Sequence, residues 1–542
     1  MKFRNSVALL LASAGLAAFP AAFAETLTIA LSSEPTSADP HYHKQTQNDA
    51  LAAHVFESLI LRDAEMNLVP GLATSWKNLD DNTWEIKLRE GVKFSNGEPF
   101  TSQDVLFTIC RTLNNKTNIT ASYTQMTRVL ADVQTPDDHT VILKTKTPMP
   151  LLPAELARQL PIIWNGIIEH GPLTFKPEEG CGVTGQWPTV VEFNNGSYAI
   201  GTGPYKLKSY VKGTGIELER NENYWGDKPH WEKVKFVPVP NAGPRLTGLL
   251  SGDFDVIENP AARDLPRLKE SGGKYDYVVT PSTRLIFFQP DAGRAESPFV
   301  KSSDGKNPLQ DLRVRRAINM AIDREAITKR IMEGLAPPAY QYMPDGMFGA
   351  LPKAPVIKYD PEGAKKLLAE AGYADGFELT ISTTNNRYIN DAQIAQAVAQ
   401  YLSRIGIKAS VDAMPASVYF PKRAKREFSF SIGGWPSENG EASALFHLWV
   451  ASTQADKGIG TSNYGGFSDA EFDAVYSEAA VTVDPEKRKA LLEKATQIAL
   501  DKVPHIPLHF ESSIWAFRKG LAYEGRRDQY TLAMSVHSAK AK

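Results

Sequence analysis

The sequence lacks most of the features that would assign it to an enzyme class or to a membrane. Its 542 residues include only two cysteines, Cys110 and Cys181, and neither belongs to a CxxC pair, so a thiolate zinc site or a redox dithiol is not expected. The HExxH, Walker, EF-hand and GxSxG motifs are absent. Beyond the N-terminus no segment offers ~18 uninterrupted apolar residues, the length of a membrane-spanning helix. With 60 basic and 62 acidic residues, the chain gives nucleic acid no overall attraction.

The N-terminus has the pattern of an export signal. Lys2 and Arg4 precede an apolar stretch over residues 7–19, and the small-x-small sequence of residues 22–24 supplies a cleavage site. We therefore expect a Sec-type signal peptide over residues 1–24, cleaved after Ala24. No cysteine follows that site to carry a lipid, so a free periplasmic protein is the simpler interpretation.

Export also bears on the two cysteines. An oxidising compartment and an even count favour a disulfide between Cys110 and Cys181, and the alternative is two buried thiols.

The length predicts two or three domains, and the second half has the periodicity of an α/β lobe. Helices are predicted over residues 311–334, 360–372, 390–405, 468–481 and 484–502, and strands over 377–382, 407–413 and 429–432. In the first half, residues 26–31 predict a strand and Thr101 caps a predicted helix. Residues 170–203 are rich in Gly, Pro and Asn and predict a long surface excursion.

Two local patterns have a chemical and a plain interpretation. His41 and His43 flank Tyr42 and would face the same side of a strand, where they could bind Ni²⁺ or Zn²⁺, but a polar loop after Pro40 is favoured because no third ligand cluster is visible.

The basic run over residues 422–426 would suggest anion binding. We favour a solvated helix end instead, where cations offset the helix dipole.

Several separated motifs are specific enough to suggest a family. They are LVPGLATSW at 68–76, WEIKLREGVKFSNGEPFT at 84–101, GTGPY at 201–205, RNENYWG at 220–226, GDFD at 252–255 and LRVRRAI at 312–318 followed by Asp323-Arg324. In order and spacing the chain resembles family 5 of the extracytoplasmic solute-binding proteins, which deliver peptides, opines or nickel to ABC importers.

The resemblance implies an α/β fold of the periplasmic-binding-protein type II class (cluster C). Two lobes are joined by crossing strands, and an additional α+β domain is inserted in the first. Mapped onto this chain, lobe I comprises residues 25–70, 200–285 and 510–542, the inserted domain 71–199, and lobe II 286–509. The chain would cross between lobes near residues 285–288 and 505–510.

The resemblance also implies where the ligand binds. The loop over residues 433–441 follows a predicted strand, and in dipeptide-binding relatives an acidic residue three positions after its tryptophan pairs with the ligand's ammonium group. Glu438 holds that position after Trp435, one methylene longer than the usual Asp, and Ser437 and Asn439 flank it. Arg387, ahead of a predicted helix, is the candidate for the ligand's carboxylate.

Tyr464, in the segment Ser462–Phe467, matches an edge of the family's pocket. The interpretation is a monomeric periplasmic receptor that captures a small zwitterion, a dipeptide or short peptide first, and delivers it to an ABC importer permease in the inner membrane. No enzymatic activity, cofactor, metal or nucleic acid is expected. The alternatives are a receptor for an opine-like conjugate, one for nickel or a metallophore, and, less readily, a secreted peptidase.

Overall fold

The structure is a computed structural model that describes residues 26–115, 119 and 121–539. The expected signal peptide and its cleavage site lie outside these residues. Within them, no helix is long and apolar enough to cross a bilayer.

The strands of the described chain are β1 (Thr26–Leu31), β2 (Ile60–Arg62), β3 (Leu68–Pro70), β4 (Ala73–Asp80), β5 (Thr83–Leu88), β6 (Leu130–Asp137), β7 (Thr140–Thr145), β8 (Tyr205–Val211), β9 (Gly215–Arg220), β10 (Lys233–Pro238), β11 (Val256–Glu258), β12 (Tyr275–Pro290), β13 (Val300–Lys301), β14 (Glu378–Thr384), β15 (Lys408–Met414), β16 (Phe430–Pro436), β17 (Ile506–Arg518), β18 (Leu521–Tyr523) and β19 (Val536–Ser538).

The α-helices are α1 (Thr46–Val55), α2 (Ser102–Asn114), α3 (Ala121–Arg128), α4 (Leu152–Gln159), α5 (Val190–Asn194), α6 (Ala242–Ser251), α7 (Leu265–Lys269), α8 (Leu312–Ala321), α9 (Arg324–Arg330), α10 (Pro361–Glu370), α11 (Asp391–Arg404), α12 (Ala416–Ala424), α13 (Ser443–Leu445), α14 (Ala470–Val481) and α15 (Pro485–Lys502). A π-helical turn, Phe446–Val450, continues α13.

Most strands belong to one mixed sheet of 11 strands. Its order is β13-β14-β16-β12-β17-β11-β1-β10-β9-β8, and β15 pairs with β14. A separate sheet in the order β4-β5-β7-β6 lies within the predicted inserted domain. The domain boundaries themselves stay predictions.

Two long antiparallel strands, β12 and β17, join the two halves of the large sheet. β12 pairs with β16 on one side and with β17 on the other, and the far end of β17 pairs with β11. The β12–β17 register shifts between Pro281 and Leu285. The segments predicted to cross between lobes, near 285–288 and 505–510, are part of these strands, apart from His505, which precedes β17.

The element predictions fail mainly at one interior boundary. The helix expected over residues 311–334 is two helices, α8 and α9, because Asp323 caps the second: its Oδ1 accepts a hydrogen bond from the backbone N–H of Ala326 at 2.9 Å. The predicted excursion over residues 170–203 also contains the short helix α5.

The excursion is tied to α2 by a covalent bond. Cys110, on the buried face of α2, is joined by a disulfide to Cys181, with the two Cα atoms 6.2 Å apart. Both residues are fully buried in the core that also contains Ile86 and Leu143 of the small sheet.

Candidate ligand-binding site

A cavity of about 560 Å³ opens at the carboxyl end of β16, where α/β folds place ligands. Its walls come from segments far apart in the sequence, including residues 44–47, Arg284 on β12, and Ser513 and Trp515 on β17. The volume lies in the range typical of small-molecule sites, and both halves of the large sheet contribute to it.

Two glycines of β16, Gly433 and the cavity-lining Gly434, let aromatic rings pack against the strand. Gly434 pairs with Ile286 of β12, and a Cβ atom at Gly434 would lie 2.4 Å from the ring of Tyr388. A Cβ at Gly433 would lie 2.5 Å from the ring of Phe287. Only glycine therefore lets these aromatic rings approach the strand.

Four of the predicted site residues line this cavity: Glu438, Arg387, Trp435 and Tyr464. Ser437 and Asn439 do not. Ser437 is buried and its hydroxyl donates to the Glu441 carbonyl at 2.8 Å, while its own carbonyl accepts from Thr283. Asn439 lines a different cavity, and its Oδ1 accepts from the hydroxyl of Ser437 at 3.3 Å.

The Glu438 carboxylate is already ion-paired. It accepts a hydrogen bond from Nη2 of Arg158 on α4, and the side chain of Glu438 is 46% exposed. The carbonyl of Glu438 also accepts from Arg62. Burial lowers the pKa of Arg158, but the carboxylates of Glu438 and Glu155 outweigh burial and raise it. A ligand ammonium at Glu438 would share the carboxylate with Arg158.

Arg387 lies on the loop before α11 and lines the cavity. Asp391 holds this loop by accepting hydrogen bonds from the backbone N–H groups of Arg387 and Tyr388, both at 3.1 Å. The guanidinium of Arg387 lies 5.2 Å from the Tyr388 ring and makes no ion pair with another described residue. It is therefore free to bind an anion.

Part of the cavity lining is an aromatic cluster of Trp435, Trp449 and Tyr464. The ring centroids of Trp435 and Trp449 are 6.1 Å apart, and Tyr464 meets Trp449 edge-on at 6.0 Å. Trp449 lies on the π-helical turn, a feature frequent at functional sites. The Arg423 guanidinium lies 4.4 Å from the Trp449 ring and 5.0 Å from that of Tyr464.

The expectation that the basic run over residues 422–426 is a solvated helix end is wrong for Arg423. Lys425 and Arg426 are exposed, but α12 directs Arg423 inward, where it is only 3% exposed and lines the cavity. Sequence reasoning also missed Lys44, Arg284 and Trp449 as lining residues. The basic run was the available signal for Arg423, and its helical phase relative to the buried Tyr419, four residues earlier, would have marked it.

His41 and His43, the weak metal candidate, lie in the turn after Pro40 and not on a strand. His41 is buried in a turn, with its ring nitrogens 2.6 Å from Arg111 Nη1 and 2.9 Å from the Pro161 carbonyl. Burial, followed by the charge of Arg111, lowers the pKa of His41 to about 3. Among the described residues, no group of three or more His, Cys, Asp or Glu side chains is arranged to hold a metal ion.

Comparison with known proteins places these features in a family. The model of the bacterial extracellular solute-binding proteins, family 5, matches residues 67–457. Heme-binding protein A of Haemophilus influenzae is 27% identical over 85% of this chain and 83% of its own. Di/tripeptide-binding protein 1 of Pseudomonas aeruginosa is 27% identical over 94% of this chain and 93% of its own.

A solved structure supports the fold. HbpA2 from Haemophilus parasuis superposes with a TM-score of 0.80 at 24% identity, covering 95% of this chain and 100% of the other. The predicted α/β binding-protein fold of type II is therefore confirmed.

Proposed function

Because the chain belongs to family 5 of the bacterial extracellular solute-binding proteins, we propose that it is a periplasmic receptor that captures a small zwitterionic solute, first a dipeptide or short peptide, and delivers it to the permease of an ABC importer. The observation that carries this proposal is the cavity at the end of β16, which brings Glu438 and Arg387 together across segments distant in sequence.

The two charged residues suit the two ends of a zwitterion. The guanidinium fork of Arg387 matches a carboxylate, and it lacks an ion-pair partner among the described residues. Glu438 offers a carboxylate to an ammonium group, in competition with Arg158. The distance between the two residues then selects ligand length, and the name of the Pseudomonas relative agrees with a peptide ligand.

The lobes assigned above close over the ligand by bending β12 and β17. The register shift between Pro281 and Leu285 supports a hinge in this region, because fewer ladder hydrogen bonds resist bending there. The closed form engages the permease. In this proposal the protein is exported by its signal peptide, acts as a monomer and performs no chemistry on its ligand.

Calorimetry on protein freed of co-purified ligand tests the site. Arg387→Ala and Glu438→Ala should each weaken dipeptide binding at least tenfold, because each removes the partner of one ligand charge. The matched controls are Arg330→Ala and Glu471→Ala, which alter exposed residues outside the cavity. Unchanged affinity in both site variants would reject the assignment.

Mass spectrometry of the ligand released on denaturation tests the ligand class independently. A peptide or other small zwitterion is expected. Recovery of a metal complex would favour the metallophore receptor, and turnover of a peptide library would favour the peptidase.

A further inference from the structure

We propose that the ligand carries a second carboxylate, besides the one assigned to Arg387, and that Arg423 binds it within the aromatic enclosure of Trp435, Trp449 and Tyr464. This inference rests on the proposed receptor function and narrows its ligand to an acidic compound. An acidic dipeptide and a conjugate of an amino acid with a dicarboxylic acid share this chemistry.

The first observation is that Arg423 is a buried charge without an ion-pair partner among the described residues. It is 3% exposed, its Nε and Nη2 have no hydrogen-bond partner, and no described carboxylate lies within ion-pair distance. Burying an unpaired ion costs several kcal/mol, so an unpaired buried cation in the wall of the cavity points to a ligand that supplies the counter-ion.

The aromatic rings do not replace a counter-ion. Arg423 lies over the rings of Trp449 and Tyr464, and a desolvated cation–π contact contributes ~2 kcal/mol. The rings leave the in-plane N–H groups unsatisfied. The positive charge is felt nearby: burial and then Arg423 lower the pKa of His505 to about 3, so that this neighbour stays neutral.

The second observation is that the unsatisfied groups of this cavity are all donors. Among its lining residues, within the part of the chain that the structure describes, four buried side-chain atoms lack a hydrogen-bond partner. They are Nε and Nη2 of Arg423, Nε1 of Trp435 and Nε1 of Trp449. A cluster of N–H groups requires an acceptor-rich group, and a carboxylate offers about four lone-pair sites.

The third observation is that, apart from Arg387 and Arg423, the charged residues that line the cavity are engaged elsewhere. Lys44 pairs with Asp49 at 3.1 Å, and Arg284 pairs with Glu511 at 3.3 Å. Glu438 pairs with Arg158.

The remaining lining carboxylate, Glu258, is also occupied. Its Oε2 accepts from the backbone N–H and the hydroxyl of Ser32, both at 2.8 Å, and its Oε1 accepts from Thr531. The protein's own carboxylates therefore do not neutralise Arg423.

Matched ligand pairs test the proposal on the refolded, ligand-free protein. Calorimetry compares Ala-Glu with Ala-Gln, and Glu-Ala with Gln-Ala, which differ in charge but hardly in shape. In at least one pair the acid should bind at least tenfold more tightly than the amide. Equal or tighter binding of the amide in both pairs would overturn this inference while leaving the receptor function intact. If none of the four dipeptides binds, both the peptide-receptor proposal and this inference are rejected.

Variants of Arg423 show whether this residue supplies the preference. Arg423→Met keeps an apolar stem against Trp449 but removes the charge, so the acid-to-amide affinity ratio should fall to about one. Arg423→Lys, which keeps the charge without the fork, should retain part of the ratio. Arg426→Met, an exposed neighbour, should leave it unchanged.

The melting temperature of the ligand-free protein supplies a readout that does not depend on ligand. Arg423→Met should match or exceed the wild type, because an unpaired buried charge is removed. A lower melting temperature together with a retained acid preference would show that Arg423 serves packing, and would overturn the inference.

Discussion

At the scale of single residues, the shape of the cavity depends on the absence of a Cβ atom at Gly434. The hydrogen side chain of Gly434 leaves room for the ring of Tyr388, which lines the cavity beside Arg387. Trp435, next in sequence, lines the same cavity. The size of one side chain thus sets how closely the walls of the site approach each other.

Gly434→Ala should therefore damage binding more than folding. The added methyl group would lie 2.4 Å from the Tyr388 ring, and relieving this contact should cost ~1–3 kcal/mol of stability and displace the ring into the cavity. We expect at least tenfold weaker ligand binding in calorimetry. Gly243→Ala is the control, because a Cβ on that residue of α6 meets no atom within 4 Å. Full affinity in Gly434→Ala would contradict this account.

The charged residues show the limit of prediction from sequence. Glu438 and Arg387, which line the cavity, could be predicted as site residues because they stand at expected places relative to a tryptophan and a helix in a recognisable family. The Arg158–Glu438 ion pair joins two side chains that are 280 residues apart in the sequence. The helical phase of Arg423 relative to Tyr419 is a local signal for its burial, but no local pattern indicates that Arg158 pairs with Glu438.

At the scale of elements, local chemistry predicts helices well where caps are explicit. Thr101 accepts from Gln103 N–H and Asp104 reciprocates by accepting from Thr101 N–H at 2.8 Å, which begins α2 as expected. Asp484 begins α15 in the same way, by accepting from Lys487 N–H at 2.8 Å. The split of the helix predicted over residues 311–334 was missed because the hydrophobic pattern continues through the cap at Asp323.

The disulfide fixes one element, α2, to the 3₁₀-helical segment Pro177–Gly182, which contains Cys181. Cys110 and Cys181 are 71 residues apart, so the bond removes considerable chain entropy from the unfolded state. Replacing both by alanine should lower the free energy of unfolding by ~2–5 kcal/mol, measured by urea denaturation. A reductant should destabilise the wild type similarly and leave the double variant unaffected. Equal stability of oxidised wild type and double variant would show that the bond contributes nothing.

At the scale of the whole molecule, burial shifts the pKa values of histidines and of a glutamate in opposite directions. Burial lowers the pKa of His54 and of His509 to about 4 each. Burial raises the pKa of Glu57 to about 7, against hydrogen bonds from Trp225 and Thr202. The histidines favour the folded state at higher pH and the carboxyl group favours it at lower pH, so their effects oppose each other in mildly acidic solution.

Two variants should separate these effects. His509 is fully buried and neither ring nitrogen has a partner, so unfolding allows the ring to take up a proton between its unfolded pKa of 6.5 and its folded pKa of about 4. The wild type loses roughly 3 kcal/mol from this group as the pH falls through that window. His509→Leu removes the loss, and its stability should decline less steeply on acidification. Exposed His537→Leu is the control.

Glu57→Gln should shift the pH dependence the other way. The folded protein holds the Glu57 proton up to about pH 7, whereas the unfolded chain releases it near 4.5, so the wild type loses stability as the pH rises through this range. Glutamine keeps a buried polar group but cannot titrate, so the stability of the variant should rise relative to the wild type from pH 4.5 to 7. Urea denaturation at half-unit pH steps measures both differences. If the free energy of unfolding varies with pH in the same way in His509→Leu, Glu57→Gln and the wild type, neither group is linked to folding. If the two variants differ from the wild type in opposite directions, the buried histidine and the buried glutamate have opposing effects on the pH dependence of stability.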